Sequence, residues 1–231
     1  MAKLKDDIIE IIKNRCVHLY QLKELTRYQH SNDAIDYIVE NEIELVDGKY
    51  LIKDAKRIER EGDYNPRHMP NKDKMRSDNF MVSEKWLVKN MFLGNIQQSA
   101  FGKLVEYEIP LNAKQDDGTG DIDFMSIKSG KLWLVEIKNY TSGEGILKAI
   151  LEVQSYYQIV NREKMLADFN LPLDTEIKKV VAVFDDTTAS RQIKNKKKMQ
   201  ELLKMLEVKV LILERPEKIG FDRIKVKSEI N

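Results

Sequence analysis

The spacing of apolar positions changes several times along the chain. In its first part apolar side chains recur every three or four residues, which predicts short helices over residues 4–14 and 19–27. A third helix is predicted after Ser31, whose hydroxyl is expected to cap it. Two short β-prone runs then flank Asp47-Gly48, a dipeptide typical of tight hairpins. Three helices and a hairpin predict a winged helix-turn-helix-like module over residues 1–55.

The charge of the predicted third helix leaves the role of this module open. The helix carries Asp33, Asp36 and Glu40 and contains no lysine or arginine. Phosphates would be repelled by that face, which weighs against DNA recognition by this helix. DNA recognition, docking or dimerisation with protein, and plain structural packing therefore all stay open as hypotheses for residues 1–55.

Residues 56–77 have little apolar periodicity and contain two prolines, so they are predicted to be a linker. Basic residues outnumber acidic ones there, which suits either a solvated connector or a segment lying along a phosphate backbone. From residue 78 onward the periodicity alternates between helical and strand-like. Residues 78–231 are therefore predicted to form an α/β domain, a mixed β-sheet with helices on both faces. Its predicted elements, in order, are helix 78–92, strand 104–111, strand 120–124, strand 132–138, helix 145–161, strand 180–184, helix 191–206 and strand 208–213.

Acids and one lysine interrupt two of these apolar strands. Side chains alternate across a strand, so Asp121 and Asp123 share a face of their strand, as do Glu136 and Lys138 of theirs. A charge inside a buried strand costs several kcal/mol unless it is paired. The face of Glu136 also carries two leucines, Leu132 and Leu134. The opposite face is predicted to hold Ile122, Phe124, Trp133, Val135 and Ile137.

This arrangement predicts a cation site if the two strands pair. Mg²⁺ (or Mn²⁺) prefers hard oxygen ligands, so Asp123, Glu136 and the backbone carbonyl of Ile137 suit it. A bound cation would polarise a phosphate and lower the pKa of its water. Lys138 would orient or help to deprotonate that water, or stabilise the transition state.

The acids and the lysine, Asp123 followed by Glu136-Ile137-Lys138, resemble the PD-(D/E)xK nuclease superfamily. The run from Gly120 to Asp123 is similar to the Gly-x-Ile-Asp of archaeal Holliday-junction resolvases. The resemblance implies a restriction-endonuclease-like fold with Asp123, Glu136 and Lys138 as catalytic residues. It also implies an acid on the preceding helix, for which Glu84 is the candidate because it stands in the middle of an apolar stripe. The family often carries Gln-x-x-x-Tyr on the following helix. Here the spacing differs, so Gln154 and Tyr157 are candidates for supporting roles, as is Asp121 at the strand end.

Composition narrows the function only partly. The 39 Lys and Arg nearly balance the 38 Asp and Glu, so a nucleic-acid partner must be argued from local clusters. The single cysteine suits the cytoplasm, and neither a signal peptide nor a membrane span is predicted. The densest basic cluster is a candidate phosphate-contacting surface, with a solvated helix face as the alternative; it comprises Arg191, Lys194, Lys196, Lys197 and Lys198.

Together these features predict a magnesium-dependent nuclease that hydrolyses DNA in repair, recombination, restriction or mobile-element biology. RNA is an alternative substrate, since the predicted site contacts phosphates rather than sugars. A non-catalytic nucleic-acid-binding or assembly protein that keeps the fold is the alternative from another functional class. A homodimer is compatible with the sequence, although no dimer interface can be named from it.

Overall fold

The computed structural model describes residues 28–40, 60, 62–69, 83–93, 100–111, 120–195, 197–214 and 224–230. The predicted helices over 4–14 and 19–27, the hairpin around Asp47-Gly48, and Lys196 lie outside the described residues. Of the predicted winged-helix-like module, the structure therefore describes only the third helix.

The centre of the molecule is a mixed sheet whose described strands follow the order of the chain, β1-β2-β3-β4-β5-β6. The first three strands form an antiparallel meander, β3, β4 and β5 run parallel, and β6 is antiparallel to β5. Their bounds are β1 Lys103–Pro110, β2 Asp121–Lys128, β3 Lys131–Lys138, β4 Ile177–Phe184, β5 Val208–Leu213 and β6 Val226–Ile230.

Helices pack on both faces of this sheet, as predicted. The described helices are α1 Tyr28–Glu40, α2 Glu84–Leu93, α3 Ile146–Ile159, α4 Arg162–Asp168, α5 Thr188–Asn195 and α6 Lys197–Met205. One apolar cluster joins α2 to Phe124 and Val135, while a larger one joins α3, α5 and α6 to Leu132 and Leu134. None of the helices in these ranges is long and apolar enough to cross a membrane.

The alternation predicted for β3 is confirmed. Leu132 and Leu134 pack beneath α3, and Trp133, Val135 and Ile137 pack in the cluster with α2. Ile122 is the exception, because it belongs to the cluster beneath α3 rather than to that of Phe124. Before Phe124 the strand β2 pairs only with β1, so its N-terminal end is free to twist away from β3.

Several element boundaries differ from the prediction for local reasons. The helix expected from residue 78 begins at Glu84, because the Ser83 hydroxyl caps it by accepting the Trp86 N–H at 3.2 Å. The single helix expected over 191–206 is two helices, α5 and α6. The short helix α4 and the edge strand β6 were not predicted, since neither carries a clear apolar period.

The first described helix, α1, packs against the main domain rather than standing apart from it. Its residues Ile35 and Ile38 are fully buried in the cluster that also contains the apolar face of α6. On the same side, Lys198 of α6 pairs with Glu40 at 2.7 Å and approaches Asp36 at 3.8 Å. The described residues are already helical at Tyr28, so Ser31 lies inside the helix and does not cap it.

The burial of α1 predicts that it unfolds together with the sheet. The Ile35→Ala substitution removes a fully buried side chain and should lower the free energy of unfolding by about 2–4 kcal/mol. We expect one cooperative urea transition, followed by circular dichroism, to shift to lower denaturant. Val39→Ala, at a partly buried position of the same helix, should shift it less. An unchanged main transition in Ile35→Ala would mean that α1 belongs to an independent unit.

Residues 62–69 have no regular secondary structure, as expected of a connector, yet they are anchored at two points. Tyr64 is fully buried, and its N–H donates to Asp168 Oδ2 at 2.8 Å. The backbone N–H of His68 donates to Glu106 Oε2 at 2.9 Å, and its ring Nδ1 lies 2.8 Å from Glu106 Oε1. This segment therefore connects α4 to β1.

Candidate active site

The candidate site forms where β2 and β3 separate. Their paired positions end at Phe124 and Val135, so the next residues of the two strands no longer form the regular ladder. The side chain of Asp123 replaces the missing backbone acceptor, since its Oδ2 accepts the Ile137 N–H at 2.8 Å. The backbone donor is thereby satisfied, and the carboxylate is held at the end of β3.

Lys138 stands at the centre of a group of carboxylates. Its Nζ lies 2.8 Å from Glu136 Oε1 and 2.9 Å from Glu152 Oε2, and both partners are buried. Two further carboxylate oxygens are within 4 Å, those of Glu144 at 3.6 Å and Glu84 at 3.8 Å. The predicted pairing of Glu136 with Lys138 is thus present, and four acids share one ammonium group at close range.

Two acids reach this group from helices on opposite faces of the sheet. Glu84 is the first residue of α2 rather than the middle of an apolar stripe, and its Oε1 accepts the Asn139 N–H at 3.2 Å. Glu152 comes from α3 and was not predicted. The sequence around Glu152 nevertheless indicates an unusual carboxylate, because Glu152 stands between Leu151 and Val153 in a helix that is buried on nearly every side. A carboxylate in such a helix needs a partner.

Negative charge exceeds positive charge in this group, in which Glu136, Lys138 and Glu152 are buried. Lys148, which lies 2.6 Å from Glu144 Oε1, is the second cation, against five acids when Asp123 is included. Burial raises the pKa of Asp123 to about 7, although Lys138 and the Ile137 N–H oppose the shift. Burial and the charges of Asp123 and Glu152 raise the pKa of Glu136 well above its ordinary value.

The pKa of Lys138 shifts in the direction that keeps it charged. Burial alone would lower this pKa, but the charges of Glu136 and Glu152 raise it well above its usual value. Lys138 is therefore a fixed ammonium group, whereas Asp123 and Glu136, whose pKa values are raised, take up protons more readily than ordinary carboxyl groups. The site can attract either protons or a further cation.

The carboxylates of this site suit a divalent metal ion in chemistry, although they do not form a finished metal site. Within the described ranges, no group of three or more His, Cys, Asp or Glu side chains has the geometry of a finished metal site. Glu136 Oε2 is nevertheless buried and accepts no hydrogen bond from any donor that the structure describes. Asp123 and Glu136 supply hard oxygen atoms, which suit Mg²⁺ or Mn²⁺. The residues therefore fit such an ion in chemistry, with Asp123, Glu136 and Glu84 as its available carboxylates.

Asp123 also lines a small cavity at the N-terminal end of β2, next to α2. This cavity, of about 210 Å³, is lined by Asp121, Glu108, Lys85 and Val88 as well as Asp123. Asp121 is the exposed first residue of β2, in agreement with its predicted place at the strand end. Partial desolvation within the cavity and the charge of the neighbouring Glu108 raise the pKa of Asp121. The cavity gives solvent-borne ligands a path to Asp123.

The structure explains why glycine stands at position 120, at the start of the run from Gly120 to Asp123. Its φ of +81° is a conformation that glycine adopts without strain. A Cβ at this position would also lie only 2.8 Å from the hydroxyl oxygen of Tyr156 on α3. Glycine therefore allows β2 to enter the sheet close beneath the helix that carries Glu152.

The Gly120→Ala substitution should lower the free energy of unfolding by about 2 kcal/mol, because it combines a strained φ with a steric clash. Urea denaturation followed by tryptophan fluorescence would measure the change. Gly143→Ala is the matched control: its Cβ would meet no atom within 4 Å, and its stability should change by less than about 0.5 kcal/mol. Equal effects of the two substitutions would contradict the role given to Gly120.

Two predicted supporting residues do not reach the site. Gln154 Oε1 accepts a hydrogen bond from Lys179 Nζ at 2.7 Å, and the ring of Tyr157 lies under Arg162 and Lys179. Helical geometry explains the correction, since Gln154 lies two residues after Glu152 and therefore points about 200° away from it. Tyr156, one turn after Glu152, is the tyrosine that lies beside β2.

The predicted basic cluster is divided between two helices. Arg191 and Lys197 are exposed, on α5 and α6 respectively. Lys194 pairs with Asp185 at 2.7 Å, and Lys198 pairs with Glu40 of α1. The cluster is therefore partly neutralised within the chain.

Comparisons of this chain with protein-family models, with curated proteins and with solved structures found no match.

Proposed function

We propose that the protein is a metal-dependent nuclease that hydrolyses phosphodiester bonds in DNA. The observation that carries the proposal is the buried pair of Glu136 and Lys138 at the end of β3, beside Asp123 and within a surplus of carboxylates. A purely structural ion pair would not need this surplus, because one buried lysine is neutralised by one buried acid. Functional sites are where such unfavourable charge is typically retained.

Asp123 and Glu136, together with Glu84 and the Ile137 carbonyl, would hold Mg²⁺ or Mn²⁺. Such an ion, when bound, would polarise the scissile phosphate and lower the pKa of a coordinated water. The hydrogen bond from the Ile137 N–H to Asp123 would keep that carboxylate in place. In the metal-free protein the pKa of Asp123 is about 7, so binding of the ion near neutral pH would displace a proton from this carboxyl group.

Lys138 would act as a fixed cation rather than as a base. The acids around it hold its pKa well above the usual value, so its ammonium group stays protonated. In that state it would orient the attacking water and stabilise the negative charge that develops on the phosphate. Glu152 would keep the ammonium group in position, since its carboxylate lies 2.9 Å from Nζ.

The assignment to the PD-(D/E)xK type gains support from α3. Glu152 and Tyr156 have the four-residue spacing of the Gln-x-x-x-Tyr element, with glutamate in place of glutamine. Both residues lie on the side of α3 that meets the site. The proposed organisation is a restriction-endonuclease-like domain preceded by a winged-helix-like module that contains α1.

Cleavage assays on supercoiled, linear, single-stranded and branched DNA would test the proposal, with RNA of matched sequence as an alternative substrate. We expect nicking or cutting of DNA in Mg²⁺ or Mn²⁺ and none with chelator. Absence of cleavage on all substrates in either metal would contradict the proposal. It would favour a nucleic-acid-binding or assembly protein of the same fold.

A further inference from the structure

A second charged region lies at the opposite end of the sheet. A cavity of about 570 Å³ opens where β3, β4 and β5 begin, and Trp133 forms part of its wall. Lys131 at this end and Lys138 at the candidate active site are seven residues apart on β3, a separation of about 23 Å. One small ligand cannot contact both regions, so this cavity requires its own explanation.

Lysines dominate the lining of this cavity, which we call the lysine pocket. Three glutamates neutralise part of the charge: Glu176 pairs with two of the lysines, Glu229 with two others, and Glu207 lies in the wall. Lys204 has no ion-pair partner among the residues that the structure describes. The pocket therefore keeps a positive excess. Its lysines are Lys128, Lys131, Lys178, Lys179, Lys204 and Lys209.

Lys179 is a buried lysine at the wall of the lysine pocket. Its ammonium group is buried, and it donates to Gln154 Oε1 at 2.7 Å and to the Leu206 carbonyl. Both acceptors are neutral. Burial lowers the pKa of Lys179 to about 8, with Glu207 opposing the shift and Arg162 adding to it. A buried cation with only neutral partners is stabilised by an incoming anion.

A smaller cavity of about 300 Å³ continues the basic surface and shares Lys178, Lys179 and Glu207 with the first. In it the guanidinium carbon of Arg162 lies 3.9 Å from the centre of the Tyr157 ring. Arginine is well suited to planar contacts with phosphate oxygens, and lysine to point-charge contacts. The two cavities together present several cations to one region of solvent.

We propose that the lysine pocket binds the phosphate group of a phosphorylated small molecule or the phosphate terminus of a nucleic-acid strand. The number of ammonium groups favours a ligand with more than one negative charge over a simple carboxylate. A cavity of about 570 Å³ lies within the range of roughly 300–1,000 Å³ that holds small ligands. This proposal is independent of the nuclease assignment.

Trp133 provides a direct readout of binding. The chain has two tryptophans, so Trp86→Phe leaves Trp133 as the only one. Lys128 Nζ lies 4.7 Å and Lys209 Nζ 5.6 Å from its ring centroid, and an anion that draws these groups away should change its fluorescence. Titrations would use pyrophosphate, adenosine triphosphate, and a short oligonucleotide with and without a 5′-phosphate. All buffers would contain chelator, which excludes metal-bridged binding at the acidic site.

We expect a saturable fluorescence change with a phosphorylated probe, and an affinity about tenfold lower in Lys204→Glu and in Lys178→Glu. Lys103→Glu, at an exposed position of β1, is the matched control and should bind as the parent does. Binding of pyrophosphate or the nucleotide would identify a small-molecule ligand. Binding of the 5′-phosphorylated strand alone would identify a strand terminus.

The proposal is overturned if no phosphorylated probe gives a saturable change. It is also overturned if Lys204→Glu and Lys178→Glu bind as tightly as Lys103→Glu while their circular dichroism spectra match that of the parent. Because chelator is present throughout, a failure here leaves the nuclease proposal unaffected. A lack of cleavage would likewise leave this proposal standing.

Discussion

Replacement of Glu136 by glutamine should abolish metal-dependent DNA cleavage and at the same time make the folded protein more stable. The substitution keeps the shape of the side chain and removes its buried negative charge. In the parent, Glu136 Oε2 accepts no hydrogen bond from any donor that the structure describes. Lys138 stays paired, because Glu152 lies 2.9 Å from its Nζ. We expect the cleavage rate to fall about a thousandfold or more. The free energy of unfolding at pH 8 should rise by about 1 kcal/mol.

Lys138→Met should also abolish cleavage, but with the opposite effect on stability. Removing the ammonium group leaves the buried carboxylates of Glu136 and Glu152 facing each other without a cation. The free energy of unfolding at pH 8 should therefore fall by about 3 kcal/mol. Cleavage assays at a temperature where both variants remain folded, as judged by circular dichroism, would measure the two effects separately.

Glu163→Gln, at an exposed position of α4, is the matched control for charge removal and should retain the activity of the parent. Cleavage that persists in both Glu136→Gln and Lys138→Met would refute the proposed site. A loss of cleavage in Glu163→Gln of the same size would mean that the assay reports a general effect of charge.

The candidate site was predictable wherever its residues lie on neighbouring strands. Period-two alternation places Glu136 and Lys138 on the face of Leu134, and the structure confirms this. The prediction needed only the local geometry of a strand. It also led to Asp123, since a short turn between two strands forces them to pair.

Partners from distant parts of the chain were harder to predict. The family pattern predicts a glutamine and a tyrosine on this helix and therefore indicated Gln154 and Tyr157, whereas helical geometry places Glu152 and Tyr156 on the side of the site. Glu84 was chosen for its presumed place within an apolar stripe. The structure instead makes it the first residue of α2, because Ser83 caps the helix.

The acidic face of α1 illustrates the same limit. In the sequence, the negative charges of Asp36 and Glu40 indicated only that this helix is poorly suited to DNA recognition. In the structure they lie next to Lys198, more than 150 residues later, so one basic residue of the predicted cluster neutralises them. No local pattern links two helices so far apart, because their contact arises from the packing of buried isoleucines in α1 against α6.

The stability of the metal-free protein should fall as the pH rises from 5 to 8, and Asp123→Asn should remove a large part of that dependence. Burial raises the pKa of Asp123 from 3.8 to about 7, so the native state binds this proton more tightly than the unfolded chain. The stabilisation is fully present below the unfolded pKa and is lost as the pH passes through 7. A shift of this size corresponds to about 4 kcal/mol at most, and solvent near the half-buried carboxylate reduces it to about 2 kcal/mol.

Divalent metal should reverse this loss, because an ion that binds only the folded state stabilises it by mass action. At a hundredfold excess over its dissociation constant the gain is about 2.7 kcal/mol. We expect urea unfolding in Mg²⁺ or Mn²⁺ to show this gain at pH 8 and little of it at pH 5, where Asp123 and Glu136 hold protons.

Asp123→Asn should lose most of the metal effect as well as the pH dependence, whereas Asp174→Asn, at an exposed position, should keep both. Equal pH and metal dependence in the parent and Asp123→Asn would contradict the assignment of this carboxylate. Since the measurement reports binding without turnover, it separates two failures that a cleavage assay confounds. A protein that binds the metal but cuts no DNA retains the site without the activity, whereas one that binds no metal lacks the site itself.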